Sequence, residues 1–373
     1  MKIVLAPEGF KGSLSGVQVC RAMEEGVRLA LGAAQTVAIP LADGGEGTLE
    51  ALLVGAGGRA KMVRVQGPLG AGVEADWGFL PDGRAVIEMA QASGLTLIAP
   101  GPLDALRASS YGTGQLIKSA LDAGCREIVV GLGGSATSDG GSGALSALGL
   151  RLYDARDRIL PPGGGALESL ATIDTRFLDA RLAKTKLTVL CDVSNPLHGP
   201  QGAARIYGPQ KGASSSEIEK LERGLQRLAD VTATKMGFDL RDQAGAGAAG
   251  GIAFALMAFC QAQLQSGIEF VLQANDFTSA IAGADLILTG EGALDSQTLS
   301  GKTVAGVCRI ARIKQVPVVA FGGAVRLTGD QMDQLGLHSA FALADGPRSL
   351  EECLASAPTL LAQSVERALR MCR

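Results

Sequence analysis

The chain has 373 residues, 47% of them hydrophobic and 19% charged, a globular composition with material for one large or two medium domains. Its net charge is −3 and its lysines and arginines are dispersed, which excludes a basic nucleic-acid surface or a polybasic membrane patch and favours a small-molecule partner. No apolar stretch approaches the ~20 residues of a membrane span, and the amino terminus does not read as a signal peptide, so we expect a cytoplasmic protein.

The numbers of glycines, cysteines and histidines limit the kinds of functional site that the chain can contain. The 52 glycines are about twice the usual share of ~7%, and they cluster between apolar runs, where they allow positive φ and close approach of backbone to a ligand. Seven cysteines without CxxC spacing are expected to be buried, reduced thiols. Because His198 and His338 are the two histidines, a histidine-rich zinc site is excluded, and a Ser-His-Asp triad would need one of them.

The two ends of the chain predict a parallel sheet with helical crossovers. Strands are predicted at 2–7 and 36–41, with helices at 15–31 and from about residue 48. The C-terminal part repeats this rhythm, with strands at 284–290 and 317–323, helices near 302–314 and 329–336, and a final helix to Met371. Strands and helices that alternate in this way are typical of a doubly wound α/β domain.

The middle of the chain follows a different pattern. Short runs at 63–70, 74–80 and 84–90 are separated by turn sequences, which is typical of antiparallel hairpins, and further helices and strands follow. We therefore predict two domains. A doubly wound α/β domain is formed by residues 1–65 and 275–373, and a mixed α/β domain, residues 66–274, is inserted into it.

Five loops at predicted strand ends share one composition: glycine, an acid, and a lysine or hydroxyl. In open parallel sheets, ligands bind outside the carboxyl ends of the strands. The loops are 8–13 with Lys11 and Ser13, 43–48 with Asp43 and Glu46, 131–143 with Ser135, Thr137, Ser138 and Asp139, 192–213 with Asp192, Asn195 and Lys211, and 289–303 with Glu291, Asp295 and Lys302. Free N–H groups and lysines suit anions, and paired carboxylates suit Mg²⁺ or substrate hydroxyls.

Three segments resemble known nucleotide-binding motifs, but none matches its motif in full. Ser-Gly-Lys-Thr at 300–303 is not a P-loop, because Ser296 stands where that motif needs glycine. The G-x-G-x-x-G match at 245–250 follows no predicted strand. The looser match at 131–136 does follow a strand and has Asp154 at about the right distance, so an NAD(P)-dependent oxidoreductase acting on a small hydroxy acid stays the alternative.

The order of the loops resembles the type I glycerate kinase family. The blocks that carry the resemblance are APEGFKGSL (6–14), PLADGGEGT (40–48), GLGGSATSDGG (131–141), CDVSNPL (191–197), YGPQKGA (207–213), GAGAAGG (245–251) and TGEGALDSQTLSGKT (289–303). This chain departs from the family's usual pattern at Glu8-Gly9, where Asp-Ser is commoner, and mildly at Ser138 and Tyr207, so the first departure puts the acceptor in question.

The resemblance implies transfer of the ATP γ-phosphoryl group to a hydroxyl of D-glycerate, usually giving 2-phosphoglycerate, with Mg²⁺. It also implies a flavodoxin-like domain and a mixed α/β domain with the active site in the cleft between them. Phosphoryl transfer depends on positioning and charge neutralisation, and the loops offer suitable groups for both.

We assign expected roles on that basis. Asp192 accepts the proton of the acceptor hydroxyl, with Asn195 beside it and Lys11 as a further catalytic group. The expected substrate-binding residues are Lys11, Ser13, Asp43, Glu46, Lys211 and Asp295. The expected nucleotide-binding residues are Gly133, Gly134, Ser135, Thr137, Gly290, Gly292 and Lys302. The expected metal ligands are Asp139 and Glu291.

Two other readings stay open at this point. Besides the oxidoreductase, a non-catalytic sugar-acid binding protein would need neither paired acids nor several lysines and would not consume ATP. The oligomeric state is open as well, with a homodimer as one option.

Overall fold

The computed structural model describes residues 1–98, 101–300 and 302–372. Within these residues the strands, in chain order, are β1 (Lys2–Leu5), β2 (Gln35–Ala38), β3 (Arg59–Gln66), β4 (Gly72–Phe79), β5 (Ala85–Glu88), β6 (Glu127–Gly131), β7 (Arg151–Tyr153), β8 (Thr172–Asp174), β9 (Lys186–Leu190), β10 (Gln263–Gln265), β11 (Leu286–Leu294), β12 (Val318–Val325) and β13 (Ser339–Ala342). The helices are α1 (Gly16–Ala30), α2 (Thr48–Ala56), α3 (Ala90–Ser93), α4 (Tyr111–Asp122), α5 (Ser142–Ala147), α6 (Ala203–Tyr207), α7 (Ser215–Met236), α8 (Ala248–Cys260), α9 (Gly267–Ala274), α10 (Phe277–Ala280), α11 (Thr303–Lys314), α12 (Gly329–Leu335), α13 (Leu350–Ala355) and α14 (Ala357–Leu369).

The chain forms two compact units. Unit 1 comprises residues 1–43 and 50–57 together with the chain from Gly267 onward, and unit 2 comprises residues 44–49 and 58–266. Both units are mixtures of helix and strand, so the α/β class expected from the sequence is confirmed.

Unit 1 contains a five-stranded sheet in the order β13-β12-β11-β1-β2, and all its strand pairs are parallel. Ile3 and Leu5 face a core shared with α1 and α14, while the alternate residues Val4 and Ile287 are also fully buried. A strand buried on both faces reads as a continuous apolar run, which is why the sequence predicts β1 and β11. The doubly wound sheet built from both chain ends is therefore confirmed.

The structure extends β11 beyond its predicted end at residue 290. Residues from Gly290 to Leu294 continue to pair with β12, from Gly290 with Phe321 to Leu294 with Val325. The glycines that predicted a loop here lie in a strand instead. A Cβ atom on Gly290 would stand 2.3 Å from the Phe321 carbonyl oxygen, so the close approach of the two strands requires glycine at this position.

Unit 2 contains a six-stranded mixed sheet in the order β10-β9-β6-β5-β4-β3. β5, β6, β9 and β10 pair in parallel, and β3, β4 and β5 pair antiparallel as the hairpin signals predict. The structure places β3 at 59–66, whereas the sequence predicts a strand at 63–70. The first four residues of β3 are exposed, and residues 67–70 form the turn to β4. An exposed edge strand lacks the apolar alternation from which strands are predicted.

Six free cysteines lie among the described side chains, and Cys20, Cys125, Cys260 and Cys308 are buried as expected. No helix in the described ranges is long and apolar enough to cross a membrane.

Candidate active site

Three carboxyl groups lie in or after the carboxyl-terminal parts of neighbouring strands in the sheet of unit 1. We call them the acidic cluster: Glu8 after β1, Asp43 after β2 and Glu291 in the second half of β11. β1 lies between β11 and β2, and the Glu8 amide donates to the Gly290 carbonyl at 2.8 Å. Because the carboxyl ends of parallel strands meet at one edge, the three acids share that edge. Glu8 is 7% exposed and Glu291 8% exposed, so both carboxyl groups are largely withdrawn from water.

Burial and the negative charges of neighbouring acids favour the protonated forms of Glu8 and Glu291. Burial is the main reason that the pKa of Glu8 rises to about 7, and the charges of Asp43 and Glu291 raise it further. Burial likewise raises the pKa of Glu291, with Asp43 and Asp295 acting in the same direction. Two neighbouring acids whose ionised forms are disfavoured by burial are unusual in a purely structural role. Groups with such shifted pKa values concentrate at functional sites.

Two threonine hydroxyls orient the buried acids. Thr303 Oγ1, at the start of α11, donates to Glu8 Oε2 at 2.7 Å, and Thr298 Oγ1 donates to Glu291 Oε1. Both threonines are almost fully buried. Each of these two carboxyl groups therefore has one oxygen fixed by a hydroxyl from the segment after β11.

Two lysines place positive charge near the acidic cluster. Lys11 is exposed in the turn after β1 and lowers the pKa of Glu8. Lys302 precedes α11, contacts Gln297 Oε1 at 3.2 Å through Nζ and lowers the pKa of Glu291. Cations next to acids at a strand edge can bind a ligand that carries both an anionic group and hydroxyls.

The remaining predicted residues of unit 1 surround this cluster. Ser13 Oγ is buried without a hydrogen-bond partner, and a Cβ atom on Gly292 would lie 3.8 Å from the Lys11 amide. Asp295 is half-buried and accepts from the Gln297 amide at 2.9 Å. Gly301, of the sequence Ser-Gly-Lys-Thr, lies outside the described residues.

Segment 44–49 packs against the loop after β6 within unit 2. A Cβ atom on Gly133 would lie 2.2 Å from Gly45 Cα, so glycine at 133 lets two backbones approach closely. Glu88, 2% exposed at the end of β5, accepts from the Leu49 amide at 3.2 Å near the start of α2. Glu46 in this segment is exposed.

The hydroxyls of the loop after β6 are buried and bonded mainly to one another. Ser135 Oγ accepts from the Thr137 amide at 3.0 Å and lies 3.1 Å from Thr137 Oγ1, and Ser138 Oγ is buried without a partner. Gly134 is exposed, and its carbonyl accepts from the Leu95 amide at 2.9 Å. The Gly134 backbone is therefore the more accessible part of this loop.

Asp139 and Lys211 lie in the interior of unit 2. Asp139 has no exposed surface and accepts hydrogen bonds from Ser110, Gly141 and Gly143. Lys211 is 3% exposed, and its Nζ donates to the Thr137 carbonyl. Burial lowers the pKa of Lys211 to about 8, and the charge of Asp139 acts in the opposite direction.

Asp192 and Asn195 occupy the loop that follows β9. Asp192 is exposed just beyond the strand. Asn195 is held at both ends of its amide, because Tyr207 donates to Oδ1 at 2.7 Å and Nδ2 donates to the Gln201 carbonyl at 2.8 Å. The Asn195 carbonyl also accepts from the Gly247 amide at 2.9 Å.

Comparison with known proteins agrees with this arrangement of loops and strands. The model of the glycerate kinase family matches residues 3–373. The chain belongs to the glycerate kinase family.

Named relatives of the family match almost the whole chain. It is 44% identical over 371 residues to a protein named glycerate kinase from Bacillus subtilis (strain 168), covering 99% of this chain and 96% of that one. It is 44% identical over 358 residues to glycerate 2-kinase from Escherichia coli (strain K12), covering 96% and 94%. A crystal structure described as glycerate kinase 2 from Salmonella typhimurium LT2 superposes with a TM-score of 0.87 at 45% identity, covering 100% of this chain and 98% of that one.

The structure divides the predicted family residues between the two units. Unit 1 brings together Lys11, Ser13, Asp43, Gly290, Glu291, Gly292, Asp295 and Lys302. Unit 2 contains Glu46, Gly133, Gly134, Ser135, Thr137, Asp139, Asp192, Asn195 and Lys211. The two predicted metal ligands, Asp139 and Glu291, therefore belong to different units.

Several residues that build the site have no role predicted from the sequence. Glu8 belongs to a predicted loop but has no predicted role, and neither do Glu88, Thr298 and Thr303. An acid directly after a buried strand was a usable signal for Glu8, and Glu88 between Ile87 and Met89 is an acid in an apolar strand. Threonines 298 and 303 carried no comparable signal, since they contact their acids only after folding.

Neither dinucleotide fingerprint has the geometry of a Rossmann site. The match at 131–136 follows β6, but the next helix, α5, begins at Ser142 rather than within the motif. In the match at 245–250, a Cβ atom on Gly250 would stand 2.0 Å from the Thr137 carbonyl oxygen. Gly250 therefore packs against protein backbone and not against a pyrophosphate.

Proposed function

We propose that this chain transfers the γ-phosphoryl group of ATP to a hydroxyl of D-glycerate, giving 2-phosphoglycerate. The observation that supports this most is the acidic cluster with its two lysines, at the strand edge where parallel sheets bind ligands, in a chain of the glycerate kinase family. A kinase of this family uses ATP as its co-substrate.

The groups of unit 1 match the chemistry of glycerate. Glycerate carries one carboxylate and two hydroxyls, so it needs a cation at one end and hydrogen-bond acceptors along its length. Lys11 is the proposed partner of the carboxylate, and Asp43 and Asp295 are the proposed acceptors for hydroxyls, with Ser13 as a further contact. Lys302 and the backbone of Gly290 and Gly292 are proposed to bind phosphate oxygens.

We assign the proton transfer to Asp192. It is an exposed carboxylate at the end of β9, and Asn195 in the same loop is held rigidly by Tyr207 and Gln201. A carboxylate can accept the proton of the acceptor hydroxyl as the phosphoryl group moves, and a fixed loop limits the entropy lost in reaching that geometry. The exposed backbone of Gly134, next to the half-buried Gly133, is proposed to contact the nucleotide.

The donor set of unit 1 fits Mg²⁺ in the way that nucleotide enzymes bind it. No group of three or more His, Cys, Asp and Glu side chains able to hold a metal occurs in the described parts of the chain. Mg²⁺ usually takes only one or two carboxylates, with substrate phosphates and water completing the octahedron, and Glu291 and Asp43 can supply those. When bound, the ion would neutralise charge on the transferred group.

The decisive experiment incubates the purified protein with ATP, Mg²⁺ and D-glycerate and follows ADP release, with ³¹P NMR to locate the phosphate on the product. We expect ADP release that depends on D-glycerate and a 2-phosphoglycerate signal. Lys11→Met should reduce kcat/KM strongly, whereas Lys314→Met, an exposed lysine of α11, serves as the matched control. Absence of ADP release with D-glycerate overturns the proposal, and NAD(P)H absorbance changes would favour the oxidoreductase.

A further inference from the structure

Asp139 and Lys211 are two oppositely charged side chains in the interior of unit 2, where neither faces solvent. Asp139 is 0% exposed and Lys211 is 3% exposed. A charge removed from water is stable only when protein groups replace its hydration. The contacts of both residues therefore indicate what each is for.

Protein donors satisfy the Asp139 carboxylate. Oδ2 accepts from the Ser110 amide at 2.8 Å, from Ser110 Oγ at 2.9 Å and from the Gly143 amide at 3.1 Å, and Oδ1 accepts from the Gly141 amide at 3.0 Å. Ser110 Oγ in turn accepts from the Ala144 amide at 2.9 Å. These bonds connect the start of α4 to the start of α5 through a single carboxylate.

Lys211 reaches the same loop from a separate part of the chain. It ends a short 3₁₀ turn, residues 209–211, and its Nζ donates to the Thr137 carbonyl. The Asp139 charge favours the protonated ammonium. On the other side of the loop, the Gly250 carbonyl accepts from the Gly140 amide at 2.9 Å, so residues 137–140 are held from two directions.

We infer that Asp139 and Lys211 are positioning residues: their buried hydrogen bonds hold the loop after β6 in shape, and neither side chain contacts glycerate, nucleotide or metal ion. The inference rests on the proposed kinase function only for what the loop is used for. It replaces the roles expected from the sequence, a metal ligand for Asp139 and a substrate contact for Lys211. The dependence is unequal, because Asp139 keeps its four donors without Lys211, whereas the Asp139 charge helps to keep the Lys211 ammonium protonated.

The first test is a double-mutant cycle read by thermal unfolding of the full chain. Lys211→Met should lower the Tm of the wild type, because it removes a favourable pair. The same substitution in an Asp139→Asn background should leave the Tm unchanged or raise it, because it removes an uncompensated buried charge. Equal lowering of the Tm by Lys211→Met in both backgrounds overturns the dependence of Lys211 on Asp139.

The second test uses the wild-type protein and needs no variant to fold. Amine-reactive labelling followed by mass spectrometry compares Lys211 with Lys11, which is exposed. We expect Lys11 to be modified readily in the free protein and Lys211 to stay unmodified with and without D-glycerate and ATP. Modification of Lys211 at a rate like that of Lys11, with protection by either ligand, overturns the inference.

Activity supplies the readout that separates positioning from contact. Folded Lys211→Met should lose less than about tenfold in kcat/KM for D-glycerate, since a charged hydrogen bond to substrate is worth roughly tenfold or more. A larger loss at native secondary structure contradicts a positioning role. If the wild type itself releases no ADP, the proposed function fails, but the labelling and the Tm cycle still decide this inference.

Discussion

Glu8 is a largely buried acid whose pKa is raised by its surroundings. A buried carboxyl beside Asp43 and Glu291 is costly to ionise, and the Thr303 hydroxyl offsets only part of that cost. The pKa of about 7 in the folded chain lies above the ordinary value of 4.5. The folded protein therefore binds a proton at Glu8 that the unfolded chain has already released over this interval.

The consequence is a defined pH dependence of stability in the metal-free protein. With the folded pKa raised, the contribution of protonated Glu8 is lost as the pH rises from about 4.5 through about 7. Glu8→Gln stays neutral and should unfold with a free energy higher than wild type by up to about 3 kcal/mol above that interval, and with little difference below it. Urea unfolding across the interval measures this, with Glu351→Gln, an exposed acid of α13, as control. Parallel pH profiles of wild type and Glu8→Gln would contradict the assignment.

The buried charged residues also show what sequence patterns can and cannot predict. Glu8, Asp43 and Glu291 were accessible to prediction because each comes directly after, or within the end of, an apolar run that becomes a buried parallel strand. The environment of Asp139 was not, because its partner Ser110 lies 29 residues earlier in the chain. A lysine between glycines likewise reads as solvated, and only folding buries Lys211.

At the scale of elements, the start of α8 explains the glycine-rich sequence 245–251. Ala249, Gly250 and Gly251 all have left-handed φ and ψ angles, where the chain bends before the regular helix. A Cβ atom on Gly250 would meet the Thr137 carbonyl oxygen at 2.0 Å, and one on Gly251 would meet Gly140 Cα at 2.7 Å. The segment is therefore glycine-rich because two backbones are in contact.

A matched pair of glycine substitutions separates this contact from backbone strain. Gly250→Ala should destabilise the protein by roughly 3 kcal/mol or more, because it adds a steric clash to an unfavourable positive φ. Gly237→Ala, at the end of α7, has φ +79 with no atom near its Cβ position and should cost only about 1 kcal/mol. Urea unfolding gives both values, and equal costs would show that the contact is unimportant.

The end of β11 and the start of β3 show where sequence patterns fail to predict the boundary of a strand. β11 continues through residues 291–294 because β12 remains available for pairing, and no local sequence signal indicates that partner. β3 begins at exposed Arg59. Here cation–π contacts of Arg59 with Phe79 and of Lys61 with Trp77, both rings on β4, replace apolar burial. Buried strands were predicted well, while edges and paired glycines depended on partners distant in sequence.

At the scale of the whole molecule, the two units differ in how the chain builds them. Unit 2 is nearly continuous and has a hydrophobic core of its own that includes the fully buried side chains of Phe254 and Trp77. Unit 1 needs both chain ends, because β1 pairs with β11 on one side and β2 on the other. The six-stranded sheet is thus complete within one stretch of chain, and the five-stranded sheet is not.

A fragment experiment tests this difference. Residues 44–266 should fold alone, with a cooperative urea transition and a far-UV circular dichroism spectrum of mixed helix and strand. Residues 267–372 contain β11, β12 and β13 but lack β1 and β2, so we expect that fragment to show no cooperative transition. A gradual, non-cooperative loss of signal from the 44–266 fragment would show that its core depends on the rest of the chain.

Because Ile3 pairs with Leu286, the sheet of unit 1 can be completed only late in synthesis of the chain. Ribosomes add about 5–20 residues per second, so the amino-terminal strand leaves the exit tunnel roughly 15–60 s before its β11 partner exists. During that time the apolar sequence Ile3-Val4-Leu5 is a nascent-chain segment without a completed sheet to join, while residues 58–266 emerge and can fold. Newly made protein is therefore most exposed to aggregation and to chaperone binding at its amino terminus, before the last third of the chain is translated.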